Sequence, residues 1–251
     1  MADPNFLELV NGEKIAYRLA EGRRPGVLWL GGYHSDMNGT KAQAVAAWAA
    51  RNGRASLRFD YFGHGASSGD FRQGTISRWR DDALAVLDRL AEGPQILAGS
   101  SMGGWIAMLL ARLRPERIAG LLLIAPAADF TEVLMWNPMP EELRRQIVEK
   151  GYLMRQGDDG ESYPVTREII EDGRNNLVLG STIVPDYPVR ILHGMADTDV
   201  PWRHGLKVAE TIKGDVTMTL VQRADHRLSA PADIALIART LDGLAEDAKP
   251  C

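Results

Sequence analysis

Short apolar runs alternate with longer periodic stretches along most of this chain. The apolar runs are Val27 to Leu30, Ala55 to Phe59, Gln95 to Ala98, Ile118 to Ala125, Val189 to Leu192 and Val216 to Val221. Each has the length of a strand. The spacing between them predicts helices over Lys41 to Arg51, Ile76 to Leu90, Gly104 to Leu113, Arg203 to Ile212 and Ala232 to Leu244. Ahead of them, Phe6 to Val10 and Lys14 to Arg18 flank Asn11-Gly12 and read as a hairpin. Alternating strands and helices define an α/β chain, with a mostly parallel sheet and helices on both faces. A length of 251 residues suits one such domain with a small insertion.

The alternation breaks across residues 129–187. That stretch holds a helix pattern at Glu141 to Lys150, a polar loop from Gln156 to Glu161, and a second helix pattern at Thr166 to Arg174. It reads as a cap over a cleft. Met135, Trp136, Met139, Leu153 and Met154 would give the cap an apolar ceiling, or simply pack it onto the core.

Gly99-Ser100-Ser101-Met102-Gly103 sits where an apolar run meets a helix pattern. A G-x-S-x-G at that junction places its central serine at the tip of a strained turn, exposed to a cleft. Ser101 is the candidate nucleophile, and Ser100, on the strand side, points elsewhere. The Met102 N–H, at the helix start, faces a developing oxyanion.

A serine nucleophile needs a base, and the base needs an orienting acid. Asp197 follows the Val189 to Leu192 run, and His226 follows Val216 to Val221. The order Ser, Asp, His suits this strand–turn–helix setting. Asp129, after an earlier strand, competes for the acid role, but Asp197 has the cleaner strand-to-loop position. Asp199 and Asp225 read as turn residues. His193 reads as support for the Asp197 loop, His64 as structural or rim-lining, and His204 as exposed. Gly31-Gly32 after Val27 to Leu30 lets backbone approach substrate, which makes the Tyr33 N–H the second oxyanion donor. His34, Trp105, Met135 and Trp136 are candidate substrate contacts.

Charge adds exclusions. The net charge is −4, with acids and bases mixed, and no basic tract suggests nucleic acid. The single cysteine, Cys251, excludes an intramolecular disulfide. No apolar run reaches the roughly 20 residues of a spanning helix. No charged-then-apolar leader is evident at Met1 to Asn5, which leads to the expectation of a cytoplasmic, bacterial protein. No ligand cluster calls for a metal or organic cofactor.

The chain resembles the serine α/β-hydrolases. Among them it is similar to the mitochondrial palmitoyl-protein thioesterases of animals, also described as acyl-glucuronide esterases. The resemblance rests on Gly32-Tyr33, Ser35 to Ala42, Arg58-Phe59-Asp60-Tyr61, Gly93 to Leu97 with Gly99 to Trp105, Leu192 to Met195, Asp197, Val200-Pro201-Trp202, and Asp225-His226-Arg227. It implies a triad of Ser101, Asp197 and His226, with activity on S-acyl cysteine thioesters and activated esters. The partner would be a small ester or an S-acylated protein or peptide. Other readings are a small-ester carboxylesterase, a cofactor-free perhydrolase or haloperoxidase, and a non-catalytic receptor on the same fold.

Overall fold

A computed structural model describes residues 3–156 and 162–248. The chain opens with an antiparallel hairpin, β1 (Asn5–Glu8) and β2 (Lys14–Ala20), turned at Gly12 with φ +83°. Val10, expected as strand, is fully exposed in the turn. Strands β3 (Arg23–Leu30), β4 (Arg54–Phe59), β5 (Gln95–Ser100) and β6 (Ile118–Ile124) follow, separated by α1 (Thr40–Arg51), α2 (Ile76–Leu90) and α3 (Met102–Leu113). After the insertion come β9 (Val189–Gly194), α6 (Trp202–Thr211), β10 (Val216–Val221) and α7 (Pro231–Asp247).

The sheet has eight strands in the order β1-β2-β4-β3-β5-β6-β9-β10. Every pairing from β4 to β10 is parallel, and β1 and β2 are antiparallel. Successive side chains on a strand point to opposite faces, so the sheet divides the core. Leu28, Leu30, Leu97, Leu121, Leu123 and Ile191 meet α2 and α3 on one face. Val27, Trp29, Ile96, Leu122, Ile124 and Leu192 meet α1 and α7 on the other. Both central strands, β5 and β6, are buried along their whole length, as covered parallel strands should be. No helix among the described residues is long and apolar enough to cross a membrane.

The stretch between β6 and β9 begins with a π-helical turn (Thr131–Trp136) and α4 (Glu141–Lys150). Next come β7 (Tyr152–Gln156), β8 (Ser162–Thr166) and α5 (Arg167–Gly173). β7 and β8 pair antiparallel as a separate small sheet. This hairpin was not expected from the sequence; residues 157–161 of the expected polar loop lie outside the described residues. Thr166 caps α5, accepting the Ile169 N–H at 3.2 Å. Asp129 ties the two ends of the segment together. It is buried, and its carboxylate accepts the N–H groups of Val178 at 2.8 Å and Leu179 at 2.9 Å.

The tightest packing lies where α3 leaves β5. A Cβ on Gly103 would sit 2.0 Å from the Leu30 carbonyl oxygen, and one on Gly99 would sit 2.3 Å from that of Gly103. Gly243, inside α7, has nothing within 4 Å of a built Cβ. Gly103→Ala is therefore expected to lower unfolding free energy by roughly 3 kcal/mol or more. Gly243→Ala should raise it by up to about 1 kcal/mol. Urea denaturation of both variants measures the difference, and equal stabilities would refute the packing account.

Candidate active site

Ser101 joins β5 to α3 with φ +54° and ψ −118°, a conformation that side chains rarely adopt. Its surroundings hold it there. The Ser101 N–H donates to the Ile124 carbonyl at 2.9 Å, and the Ser101 carbonyl accepts from Gly104 at 2.9 Å and Ala127 at 3.0 Å. The turn directs the hydroxyl away from the sheet. His226 Nε2 lies 3.1 Å from Ser101 Oγ, and His226 Nδ1 lies 2.8 Å from Asp197 Oδ2.

The loops that carry Asp197 and His226 follow β9 and β10, which are paired in register from Val189↔Val216 to Gly194↔Val221. Their loops are stitched together as well. Met195 donates to the Val221 carbonyl at 2.9 Å, and Ala196 to that of Ala224 at 3.1 Å. A Cβ on Gly194 would lie 2.2 Å from the Ala224 carbonyl oxygen, so the approach requires glycine. Asp225 accepts the Arg227 and Leu228 N–H groups at 3.0 and 3.2 Å, shaping the turn that carries His226. Lys41, from α1, donates to the Arg227 carbonyl.

Asp197 is buried, and four N–H groups surround its carboxylate. Oδ1 accepts the N–H groups of Asp199 at 3.0 Å and Val200 at 2.8 Å. Oδ2 faces His226 at 2.8 Å and His193 at 3.3 Å. Burial alone would raise its pKa, but the hydrogen bonds from His193 and His226 outweigh this and hold it well below the usual carboxylate range. Asp197, Asp199 and His226 bring ligand-type atoms within 4.8 Å of one another. Asp197 and His226 are already bonded to each other, and no metal role is assigned to the group.

Met102 and Tyr33 line the cavity together with Ser101, and their N–H groups meet no acceptor among the described residues. A Cβ built on Gly32, just before Tyr33, would lie 3.5 Å from the Ser101 Cβ. His64, which sequence reasoning left as structural or rim-lining, fixes this loop. Its buried Nε2 accepts the His34 N–H at 3.2 Å, while Nδ1 meets the Phe62 carbonyl at 3.1 Å. Burial pushes its pKa down to about 4, so the ring remains an acceptor. The Tyr33 hydroxyl donates to the Pro164 carbonyl of β8 at 3.0 Å, tying the loop to the inserted segment.

A cavity of about 770 Å³ opens over Ser101. Tyr33, Ala127, Phe130, Leu134 and Met135 give it an apolar wall, while Thr40, Lys41, Asp199, Arg227 and Ser229 give it a polar one. His34 also lines it, stacked on Tyr163 at 5.8 Å. Two expected contacts are corrected. Trp105 is fully buried beneath the site, with its indole N–H on the Asn176 carbonyl at 2.9 Å. Trp136 does not line the cavity; Arg144 and Arg174 lie over its ring at 5.6 and 5.2 Å. His204, expected at the surface, is buried with Nε2 donating to the Ala128 carbonyl at 2.8 Å. Asp129, the competing acid, is engaged with the Val178 and Leu179 N–H groups instead.

A strained serine between a parallel strand and a helix, with acid and base on later strand ends, defines the serine α/β-hydrolases. The chain belongs to that class: residues 23–171 match the family described as serine aminopeptidase, S33. It is 39% identical over 245 residues to the mitochondrial palmitoyl-protein thioesterase ABHD10 of Homo sapiens, covering 96% of this chain and 80% of that protein. The crystal structure of a putative hydrolase from Agrobacterium vitis superposes with a TM-score of 0.92 at 42% identity, covering 97% and 98% of the two chains. The mouse alpha/beta hydrolase domain-containing protein 10 superposes with a TM-score of 0.91 at 38% identity, covering 98% and 99%.

These buried histidines set a pH dependence. His64 is held neutral down to about pH 4, and burial also lowers the pKa of His204. The unfolded chain takes up those protons below about pH 6.5, which favours unfolding. Stability should fall as pH drops from about 6.5 to 4, by up to roughly 1.4 kcal/mol per pH unit for His64. Asp197 acts lower: its contribution is present above about pH 3.9 and lost below it. The urea midpoint should decline across the upper window in wild type and less steeply in His64→Gln. Identical slopes would refute a buried neutral His64.

Proposed function

We propose that the chain hydrolyses acyl thioesters and activated carboxylic esters through a Ser101–His226–Asp197 triad. The observation that carries this reading is the continuous hydrogen-bonded chain from Ser101 Oγ to Asp197 Oδ2, at 3.1 and 2.8 Å, in a cavity open to substrate. His226 Nε2 takes the Ser101 proton as Oγ attacks the acyl carbonyl. Asp197 keeps the imidazole proton on Nδ1 and stabilises the imidazolium. The Met102 and Tyr33 N–H groups receive the oxyanion. His226 then donates its proton to the departing sulfur or oxygen, leaving an acyl-Ser101 that water hydrolyses by the same route. None of these steps calls for a metal or organic cofactor.

Thioesters and activated esters fit because a thiolate or stabilised alkoxide leaves more readily than an amine. The similar human protein is named a palmitoyl-protein thioesterase, which supports S-acyl cysteine as substrate. The inserted segment acts as a cap, and its Phe130, Leu134 and Met135 form the wall on which an acyl chain would lie. The polar wall receives the leaving group, a peptide or a sugar acid such as a glucuronate. The similar A. vitis structure supports a bacterial origin.

A fluorophosphonate probe should label Ser101, and Ser101→Ala should abolish labelling and lower turnover by roughly 10⁴- to 10⁶-fold. Asp197→Asn should cost on the order of 10⁴ in turnover with the fold intact. Labelling that survives in Ser101→Ala would end the proposal. For the acyl wall, kcat/KM on p-nitrophenyl esters should rise up to about fourfold per added methylene. Leu134→Ala with Met135→Ala should flatten that rise while leaving acetate turnover nearly intact. Equal losses on acetate and long chains would assign these residues to packing alone.

A further inference from the structure

His193, in β9, is fully buried and stands four residues before Asp197. Its Nε2 lies 2.8 Å from the Val200 carbonyl oxygen and 3.3 Å from Asp197 Oδ2. Both neighbours are acceptors, so Nε2 carries the proton. The other ring nitrogen, Nδ1, is buried without a hydrogen-bond partner among the described residues. It faces Gly205 of α6, where a Cβ would approach it to 2.5 Å, and the Met218 methyl lies nearby. The pocket thus satisfies one nitrogen and strands the other. Stranding a buried polar atom carries a penalty that an apolar residue of similar size would avoid. A side chain kept there despite that penalty is placed for its N–H.

We infer that His193 is a positioning residue for catalysis: its Nε2–H, bonded to the Val200 carbonyl and 3.3 Å from Asp197 Oδ2, moderates how strongly that carboxylate pairs with the His226 imidazolium, and so sets the pH at which turnover is lost on the acid side. The inference rests on the triad reading above. Each donor draws charge away from the carboxylate and weakens its hold on an imidazolium. The groups around Asp197 differ in kind. Two are peptide N–H groups fixed by the loop on Oδ1, one is His226 itself, and the fourth, His193, is bonded to the Val200 carbonyl and stands 3.3 Å from Oδ2.

The other charged or titratable groups around the pair are accounted for. Asp199 shares the Asp197 loop; its N–H is bonded to Asp197, and its exposed carboxylate lies within 4.8 Å of both Asp197 and His226. Lys41, from α1, donates to the Arg227 carbonyl. Asp225 holds the N–H groups of Arg227 and Leu228 in the base loop, where Arg227 is exposed. His204, from α6, donates to the Ala128 carbonyl. His193 is the side chain, besides His226, that meets Asp197 Oδ2.

The test is the pH profile of kcat/KM on p-nitrophenyl acetate for wild type, His193→Phe and His193→Gln. Phenylalanine fills the ring space without a donor, whereas glutamine keeps an N–H within reach. The acid-side midpoint should rise by about half a pH unit or more in His193→Phe and lie near wild type in His193→Gln. A common midpoint in all three, with His193→Phe folded by circular dichroism, overturns the inference. If His193→Phe does not fold, ¹⁵N NMR of the wild-type histidines decides. His193 should be protonated at Nε2 and bare at Nδ1 at about pH 7; a proton on Nδ1 overturns the inference. Ser101→Ala and Asp197→Asn belong in the same series. Wild-type turnover in either overturns the triad reading and this inference with it, whereas their loss with an unmoved midpoint overturns this inference alone.

Discussion

The Gly103 backbone passes so close to the Leu30 carbonyl that a Cβ there would sit 2.0 Å from its oxygen. That approach of α3 to β3 lets the chain reverse within one residue after β5, and Ser101 pays for it in backbone strain. Three peptide hydrogen bonds, to Ile124, Gly104 and Ala127, then hold the strained residue in place. Everything else in the site is arranged around the hydroxyl this turn exposes. The register of the parallel strands brings β9 and β10 to the same sheet end, so their loops carry Asp197 and His226 to it.

The polar groups beneath the site are secured in layers. His226 is oriented by Asp197, which is in turn held by two peptide N–H groups and His193. On the opposite side, His64 holds the His34 N–H and keeps the Tyr33 peptide beside Ser101. Both supporting histidines are buried, and burial keeps His64 neutral, so that it remains an acceptor for the His34 N–H.

Much of this was legible in the residues. Gly99, Ser101 and Gly103 announced the turn because only glycine fits its flanks; Asp197 followed an apolar run that forms a buried strand, and His226 followed an alternating one that forms the half-exposed edge strand β10. The helix spanning Ile76–Leu90 was readable to the residue because its apolar period is strong. The inserted segment was less legible. β7 is largely exposed, and β8 contains Pro164, so neither carries the alternation that marks a half-buried strand. Trp105 misled because closeness in sequence to Ser101 does not decide which way a side chain of α3 points, and this one is buried against the Asn176 carbonyl. Ser101 precedes the helix at positive φ, so its direction is not the helix's. Trp136 misled because a half-buried aromatic packed beside arginines has the same local sequence as one lining a pocket. The role of His64 lay in a contact spanning 30 residues, which no local pattern reveals.

Asp129 brings the two ends of the inserted segment within one carboxylate's reach. With the ends closed by the scaffold, the chain between them can lengthen at an entropic penalty of only about 0.6 kcal/mol per doubling. The tie from this segment to the oxyanion loop uses the main-chain carbonyl of Pro164, which any residue in that place would supply. The segment is thus an exchangeable cassette. Divergence can rewrite its side chains, and with them the apolar wall of the cavity, while the sheet-end loops below keep their geometry.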